Sequence, residues 1–82
     1  MALSEREILE GLAEIVNEET GIPTHAVRLG QRFAEDLAID GSQMAAIIQH
    51  IGDKFRVTVP ADGAETFKKI GDTVAYIQAA QG

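Results

Sequence analysis

The stretch "AIDGSQMAAIIQHIGDKF", residues 38–55, contains the clearest helical pattern in this chain. Its large apolar residues recur at intervals of three and four, which places them on one face of an α-helix. We therefore predict an amphipathic helix over residues 42–55, weakened slightly by Gly52. The residues of its apolar face are Met44, Ile47, Ile48, Ile51 and Phe55.

Upstream of this stretch the sequence predicts a first helix and then a long loop. In residues 4–23, "SEREILEGLAEIVNEETGIP", Ser4 and Glu7 have the spacing of a capping box, and Gly21 with Pro23 marks the end of a helix. Residues 22–39 show no sustained period, so we expect scattered apolar side chains to hold a long loop across the bundle. The apolar residues are Ile8, Leu12, Ile15 and Val16 in the helix, and Ile22, Val27, Leu29, Phe33 and Leu37 in the loop.

Downstream, the sequence predicts a short helix and a final helix. Residues 60–69, "PADGAETFKK", favour a short helical turn with Phe67 pointing inward. Residues 71–81, "GDTVAYIQAAQ", favour a helix whose apolar side includes Ile70, Val74 and Ile77. The predicted fold class is all-α: a small bundle of three main helices plus one short helix, in a single domain over residues 1–82.

Composition narrows the class of protein. The chain has 82 residues, 45% of them hydrophobic, a net charge of −6 and no cysteine. It should therefore fold, and it lacks a disulfide framework, a thiolate zinc site and a cysteine nucleophile. The negative charge makes nucleic acid a poor partner and a basic protein patch a better one.

No apolar run approaches the roughly 18 residues of a membrane span, and the acidic N-terminus is unlike a secretory signal. We expect a cytoplasmic protein that does not enter a membrane.

Catalytic and metal sites have little support in the sequence. His50 lies eight residues after Ser42, a rise of about 12 Å along a helix, which is too far for a direct hydrogen bond. The stretch "EDLAIDG", residues 35–41, lacks the spacing of a calcium loop, and His25 is far from His50 in sequence. We predict no enzymatic activity, no catalytic residue and no metal site.

Ser42 itself has two possible roles at the start of the second helix. Serine is strongly favoured as a helix N-cap. The free N–H groups and the dipole at a helix start also suit a phosphate, so a phosphodiester on this serine would be well accommodated. The residues alone leave both roles open.

Three segments of the chain are similar to a known family. "FAEDLAID" at 33–40, "DKFRVTVP" at 53–60 and "IGDTVAYI" at 70–77 resemble the acyl carrier proteins of bacterial fatty-acid and polyketide synthases. The resemblance covers nearly the whole chain. It implies an acyl-carrier-like bundle with a long loop between helices 1 and 2, a monomer, and 4′-phosphopantetheine on the serine of a D-S-L motif. That arm bears an acyl chain as a thioester, and the implied partners are synthase enzymes and a phosphopantetheinyl transferase.

The chain departs from the family at this motif. Asp40 matches the aspartate, but Gly41 stands at the serine position and Ser42 at the leucine position, so the chain resembles a divergent member with D-G-S. The candidate attachment residue is Ser42, turned by about 100° and raised by about 1.5 Å relative to the expected serine. A displacement of this kind can cost about 10²-fold in rate. The alternative is a pseudo-carrier that lacks phosphopantetheine and acts as an interaction or regulatory partner of synthase components.

The resemblance also implies that partners dock on the second helix. Between residues 41 and 60 a single acid, Asp53, stands against Lys54 and Arg56, whereas six acids lie between Glu5 and Glu19. We therefore expect weaker electrostatic steering at the docking face than the family usually has. The predicted partner-binding residues are Ile39, Met44, Ala45, Gln49 and Asp53.

Overall fold

The computed structural model describes residues 3–60 and 66–81, and these form three α-helices and a 3-10 turn. The helices are α1, Glu5–Thr20; α2, Gly41–Phe55; and α3, Ile70–Ala80. The turn, Thr24–Ala26, lies early in the loop between α1 and α2 and was not predicted. The predicted all-α class is confirmed. Half of the short helix predicted at 60–69, namely residues 61–65, lies outside the described ranges.

The ends of α1 follow the local sequence signals. The Ser4 hydroxyl accepts the N–H of Glu7 at 3.2 Å, and the Glu7 carboxylate accepts the N–H of Ser4 at 3.0 Å. The pKa of Glu7 is lowered by this bond to the Ser4 backbone and, to a smaller extent, by the Ser4 side chain. Gly21 ends the helix in the left-handed region, at φ 79°, where its N–H donates to the Asn17 carbonyl at 2.8 Å. Both predicted helix boundaries are confirmed.

The core lies between the apolar faces of the three helices. Burial of these side chains stabilises the bundle by about 25 cal/mol for each Å² of apolar surface removed from water. On α2 the predicted face is confirmed, with Ile48 and Phe55 partly buried and the other three residues buried. The fully enclosed side chains include Ile8, Leu12, Val16, Ile47, Ile51, Phe67, Ile70, Val74 and Ile77.

The loop between α1 and α2 is held against the segment that leads into α3. The Phe33 N–H donates to the Lys68 carbonyl at 3.0 Å, and the Gly71 N–H donates to the Leu29 carbonyl at 2.9 Å. A Cβ at Gly71 would lie 3.0 Å from that Leu29 oxygen, so glycine permits the close approach of α3 to the loop. Val27 is buried with Phe33. The prediction that apolar residues hold the loop down is confirmed.

One ion pair and one histidine–carboxylate contact join the outer sides of α1 and α2. Lys54 Nζ lies 2.7 Å from Glu14 Oε2, and His50 Nε2 lies 2.7 Å from Glu19 Oε1. Part of the acidic surface of α1 is therefore paired with α2 and is not simply solvated. Within residues 3–60 and 66–81, no helix is long and apolar enough to cross a membrane.

Candidate functional site

The start of α2 is capped by Asp40. Its backbone is extended, at φ −84° and ψ 174°, and its Oδ1 accepts the N–H of Gln43 at 2.7 Å. Gln43 Oε1 in turn accepts the N–H of Asp40 at 3.1 Å, which completes a capping box. The helix therefore begins at Gly41, one residue earlier than predicted.

Ser42 is the second residue of α2 and is exposed. The interpretation of Ser42 as the N-cap is wrong, because the helix begins at Gly41 and its N-cap is Asp40, whose carboxylate accepts the Gln43 N–H. No hydrogen bond to the Ser42 hydroxyl is formed by any residue in the described part of the chain. The hydroxyl is thus accessible and uncommitted.

Gly41, the first residue of α2, has no conformational need to be glycine. Its φ is not positive, and a Cβ built on it meets no heavy atom of the described residues within 4 Å. The left-handed backbone lies instead at Ala38, with φ 54°. A serine at position 41 therefore fits without displacing a neighbour, which makes that substitution a usable experimental control.

A pocket of about 360 Å³ lies beside the start of α2, and we call it the α2 pocket. Its size falls within the range of roughly 300–1,000 Å³ typical of small-molecule sites. Exposed residues form its rim, namely Arg32, Ala34, Glu35, Asp40, Gly41 and Lys68, and buried apolar residues form its floor, namely Phe33, Ile39, Met44 and Phe67. The rim residue Gly41 directly precedes Ser42, which is exposed but does not itself line the pocket.

The residues predicted to bind partners fall into two groups in the structure. Ile39 and Met44 are only 4% and 5% exposed and line the α2 pocket. Ala45, Gln49 and Asp53 are exposed on the outer side of α2. The predicted set is thus divided between a cavity floor and a helix surface.

Six residues of the α2 pocket were not recognised as site residues from the sequence: Arg32, Phe33, Ala34, Glu35, Phe67 and Lys68. They reach it because the loop before α2 pairs with the segment before α3, where Arg32 and Lys69 form an isolated antiparallel bridge. Phe67 was predicted only to point inward. The sequence predicted that Phe67 is buried, but it did not predict which residues line the pocket with Phe67.

The charges on the rim are largely paired with one another. Arg32 Nη1 lies 2.6 Å from Glu35 Oε2, and Arg32 Nε lies 3.5 Å from Asp36 Oδ2. The pKa of Asp36 is lowered, mainly by the hydrogen bond from the Arg32 backbone and further by the Arg32 charge, while desolvation opposes the shift. Lys68 forms no ion pair within residues 3–60 and 66–81. Those ranges also contain no group of three or more metal-ligating side chains.

Comparison with known proteins gives consistent matches. A family model described as "Phosphopantetheine attachment site" matches residues 10–77. An acyl carrier protein of Beutenbergia cavernae is 53% identical over 81 residues, which is 99% of each chain. An acyl carrier protein of Kineococcus radiotolerans is 49% identical over 79 residues, which is 96% of this chain and 98% of that one. One from an Arthrobacter species is 49% identical over 78 residues, which is 95% and 96% of the two chains.

The helical fold and these matches define a phosphopantetheine-attachment domain. The chain belongs to the acyl carrier protein family. Acyl carrier proteins hold acyl chains on phosphopantetheine and are carriers, not catalysts. The predictions of a carrier class, of phosphopantetheine as cofactor and of a non-enzyme are therefore confirmed.

Proposed function

We propose that this chain carries 4′-phosphopantetheine on Ser42 and presents a thioester-bound acyl chain to fatty-acid or polyketide synthase enzymes. The observation that carries the proposal is the free, exposed hydroxyl of Ser42 at the start of α2, where Asp40 has already taken the capping role. Gly41 offers no hydroxyl. Ser42 is therefore the group at this helix start that a loading enzyme could modify.

The proposed loading step is catalysed by a phosphopantetheinyl transferase, with coenzyme A as donor. Ser42 Oγ forms a bond to the pantetheine-bearing phosphorus of coenzyme A, and the pyrophosphate bond on its adenosine side breaks. Adenosine 3′,5′-bisphosphate leaves, and the hydroxyl proton passes to a base of the transferase. The attached group supplies a terminal thiol on which the acyl chain is held.

The residues around Ser42 fit such a group. The α2 pocket begins at the neighbouring Gly41 and has an apolar floor that includes Phe33, Met44 and Phe67. An acyl chain that entered this pocket would be removed from water, which favours burial by about 0.8 kcal/mol per CH₂. The chain's own contribution is thus an accessible hydroxyl, a helix start that stays capped, and an apolar cavity beside it.

The position of Ser42 has a kinetic consequence. The resemblance to the family places the modified serine at position 41, and Ser42 is rotated from there by about 100° with a rise of about 1.5 Å. A transferase that aligns its base and its donor with position 41 would act on Ser42 more slowly, by up to about 10²-fold. Loading of this chain should therefore be slow relative to a variant that carries serine at 41.

The proposed partner surface is the outer side of α2, around Ala45, Gln49 and Asp53. All three are exposed. Ile39 and Met44 lie below it on the floor of the α2 pocket, so they contact a partner only through the opening of that pocket. Since this side of α2 carries few acids, contacts with partners depend more on shape than on charge.

Intact mass spectrometry after incubation with coenzyme A and a broad-specificity transferase tests the proposal. We expect the wild-type chain to gain one phosphopantetheine and Ser42→Ala to gain none. The double variant Gly41→Ser/Ser42→Ala is the matched control, because a Cβ at 41 meets no described neighbour. Modification of this control shows that the transferase recognises the bundle.

A wild-type chain that stays unmodified while the control is modified overturns the proposal. That result favours the alternative, a pseudo-carrier without an arm that acts as an interaction partner of synthase components. Peptide mapping of the modified wild type adds a second check, since a mass increase on any residue other than Ser42 also overturns the assignment.

A further inference from the structure

We infer that Lys68 is a positioning residue for the attached arm, and that its ammonium pairs with the phosphodiester at the rim of the α2 pocket. The inference rests on the proposed attachment to Ser42. It goes beyond that proposal because it assigns a role to a residue in the segment before α3, outside the motif at the start of α2.

The backbone of Lys68 is fixed beside the pocket. Its carbonyl accepts the Phe33 N–H at 3.0 Å, and its N–H donates to the Thr66 carbonyl at 3.2 Å. The next residue, Lys69, is bridged to Arg32. Lys68 is therefore held on the α2 pocket, which Asp40, Gly41 and Met44 also line.

The other charges on the rim are already engaged. Arg32 is paired with two carboxylates, at 2.6 and 3.5 Å. The Asp40 carboxylate accepts the Gln43 N–H at 2.7 Å. Lys68 is exposed and forms no ion pair in the described part of the chain, so one positive charge on this rim lacks a partner.

Ser42 directly follows Gly41, which lines the same pocket as Lys68, so a phosphodiester on Ser42 would bring one negative charge to the edge of that pocket. Lysine suits this role, because its ammonium is a point charge on a flexible four-carbon stem and binds phosphate without strict geometry. Pairing would draw the arm across the pocket opening, with its thiol end toward the rings of Phe33 and Phe67. The arm would then spend less time extended in solvent.

NMR of the modified protein tests this role. We compare Lys68→Gln with Lys69→Gln, which removes the same charge one residue further on, outside the lining of the α2 pocket. The readouts are the ³¹P chemical shift with its salt dependence, and the contacts between arm protons and the Phe33 and Phe67 rings. Exposed ion pairs are weak, so we expect Lys68→Gln to lower the docked population by about twofold to fivefold.

We expect Lys69→Gln to behave as the wild type and Lys68→Arg to restore the docked population. Raising the salt concentration should shift the ³¹P resonance of the wild type but not that of Lys68→Gln, because salt screens the pair. Equal ³¹P shifts and ring contacts in all variants overturn the role of Lys68 while leaving attachment to Ser42 intact. A wild-type chain that gains no arm overturns the attachment and this inference with it.

Discussion

Asp40 and Gln43 cap α2 reciprocally, with Asp40 Oδ1 2.7 Å from the Gln43 nitrogen and Gln43 Oε1 3.1 Å from the Asp40 nitrogen. The sequence left two roles open for Ser42, that of the helix N-cap and that of the attachment residue. In the structure Asp40 is the N-cap, so the Ser42 hydroxyl is not needed for capping.

Truncation of the cap should therefore cost stability, and truncation of Ser42 should not. We expect Asp40→Ala to lower the free energy of unfolding by about 0.5–2 kcal/mol, because the Gln43 N–H loses its acceptor. We expect Ser42→Ala to stay within about 0.5 kcal/mol of the wild type. Urea denaturation followed by circular dichroism measures both. Equal losses in the two variants would show that Ser42 shares the cap.

Replacing the glycines near the starts of α2 and α3 by alanine should change the free energy of unfolding in opposite directions. At Gly71 a Cβ would lie 3.0 Å from the backbone oxygen of Leu29, and we expect Gly71→Ala to destabilise by about 1–3 kcal/mol as an overpacking change. At Gly41 the space is open, and we expect Gly41→Ala to stabilise by about 0.4–1 kcal/mol. The difference between the two urea midpoints is the measurement, and a stabilising Gly71→Ala contradicts the close approach of α3 to the loop.

Acid should weaken the fold through the capping box of α1. Hydrogen bonds from the backbone and side chain of Ser4 hold the pKa of Glu7 below its ordinary value. The carboxylate therefore stabilises the folded state above the unfolded pKa of about 4.3, and this stabilisation is lost as the pH falls through the lower folded pKa. Glutamine keeps an acceptor in the box without titrating.

We expect Glu7→Gln to lose less stability than the wild type between about pH 6 and about pH 3, since it lacks this linkage. Glu5→Gln is the control, because it makes the same change in net charge outside the box. Urea midpoints at the two pH values measure the effect. An unchanged pH dependence in Glu7→Gln relative to the wild type would count against the capping box as its source.

The outer side of α2 should respond to an added acid if its partners are basic. Ala45 is exposed there. We expect Ala45→Glu to raise kcat/KM of transferase loading at low salt, by up to about 10-fold, and the gain to vanish at high salt. Ala45→Gln has a similar size without the charge and should leave the rate unchanged. If kcat/KM rises in both variants, or if the rise persists at high salt, the cause is side-chain packing against the transferase and not electrostatic steering.

The sequence by itself determined the helices of this protein, because their signals are local. The Ser4–Glu7 spacing, Gly21 and the apolar periodicity of residues 42–55 depend only on neighbours within a few residues. The cap of α2 was also readable from the sequence, since Asp40 and Gln43 have the spacing of a capping box. Membership of the carrier class followed from three short segments at family spacing.

Only the tertiary structure decided what lies beside the start of α2. Phe33 and Lys68 are 35 positions apart in sequence and meet through a backbone hydrogen bond of 3.0 Å. The loop that forms this contact has no helical period, so its conformation depends on backbone groups that find partners in a distant segment. That pairing places Phe67 and Lys68 beside the start of α2 and turns Ile39 and Met44 into the floor of a pocket.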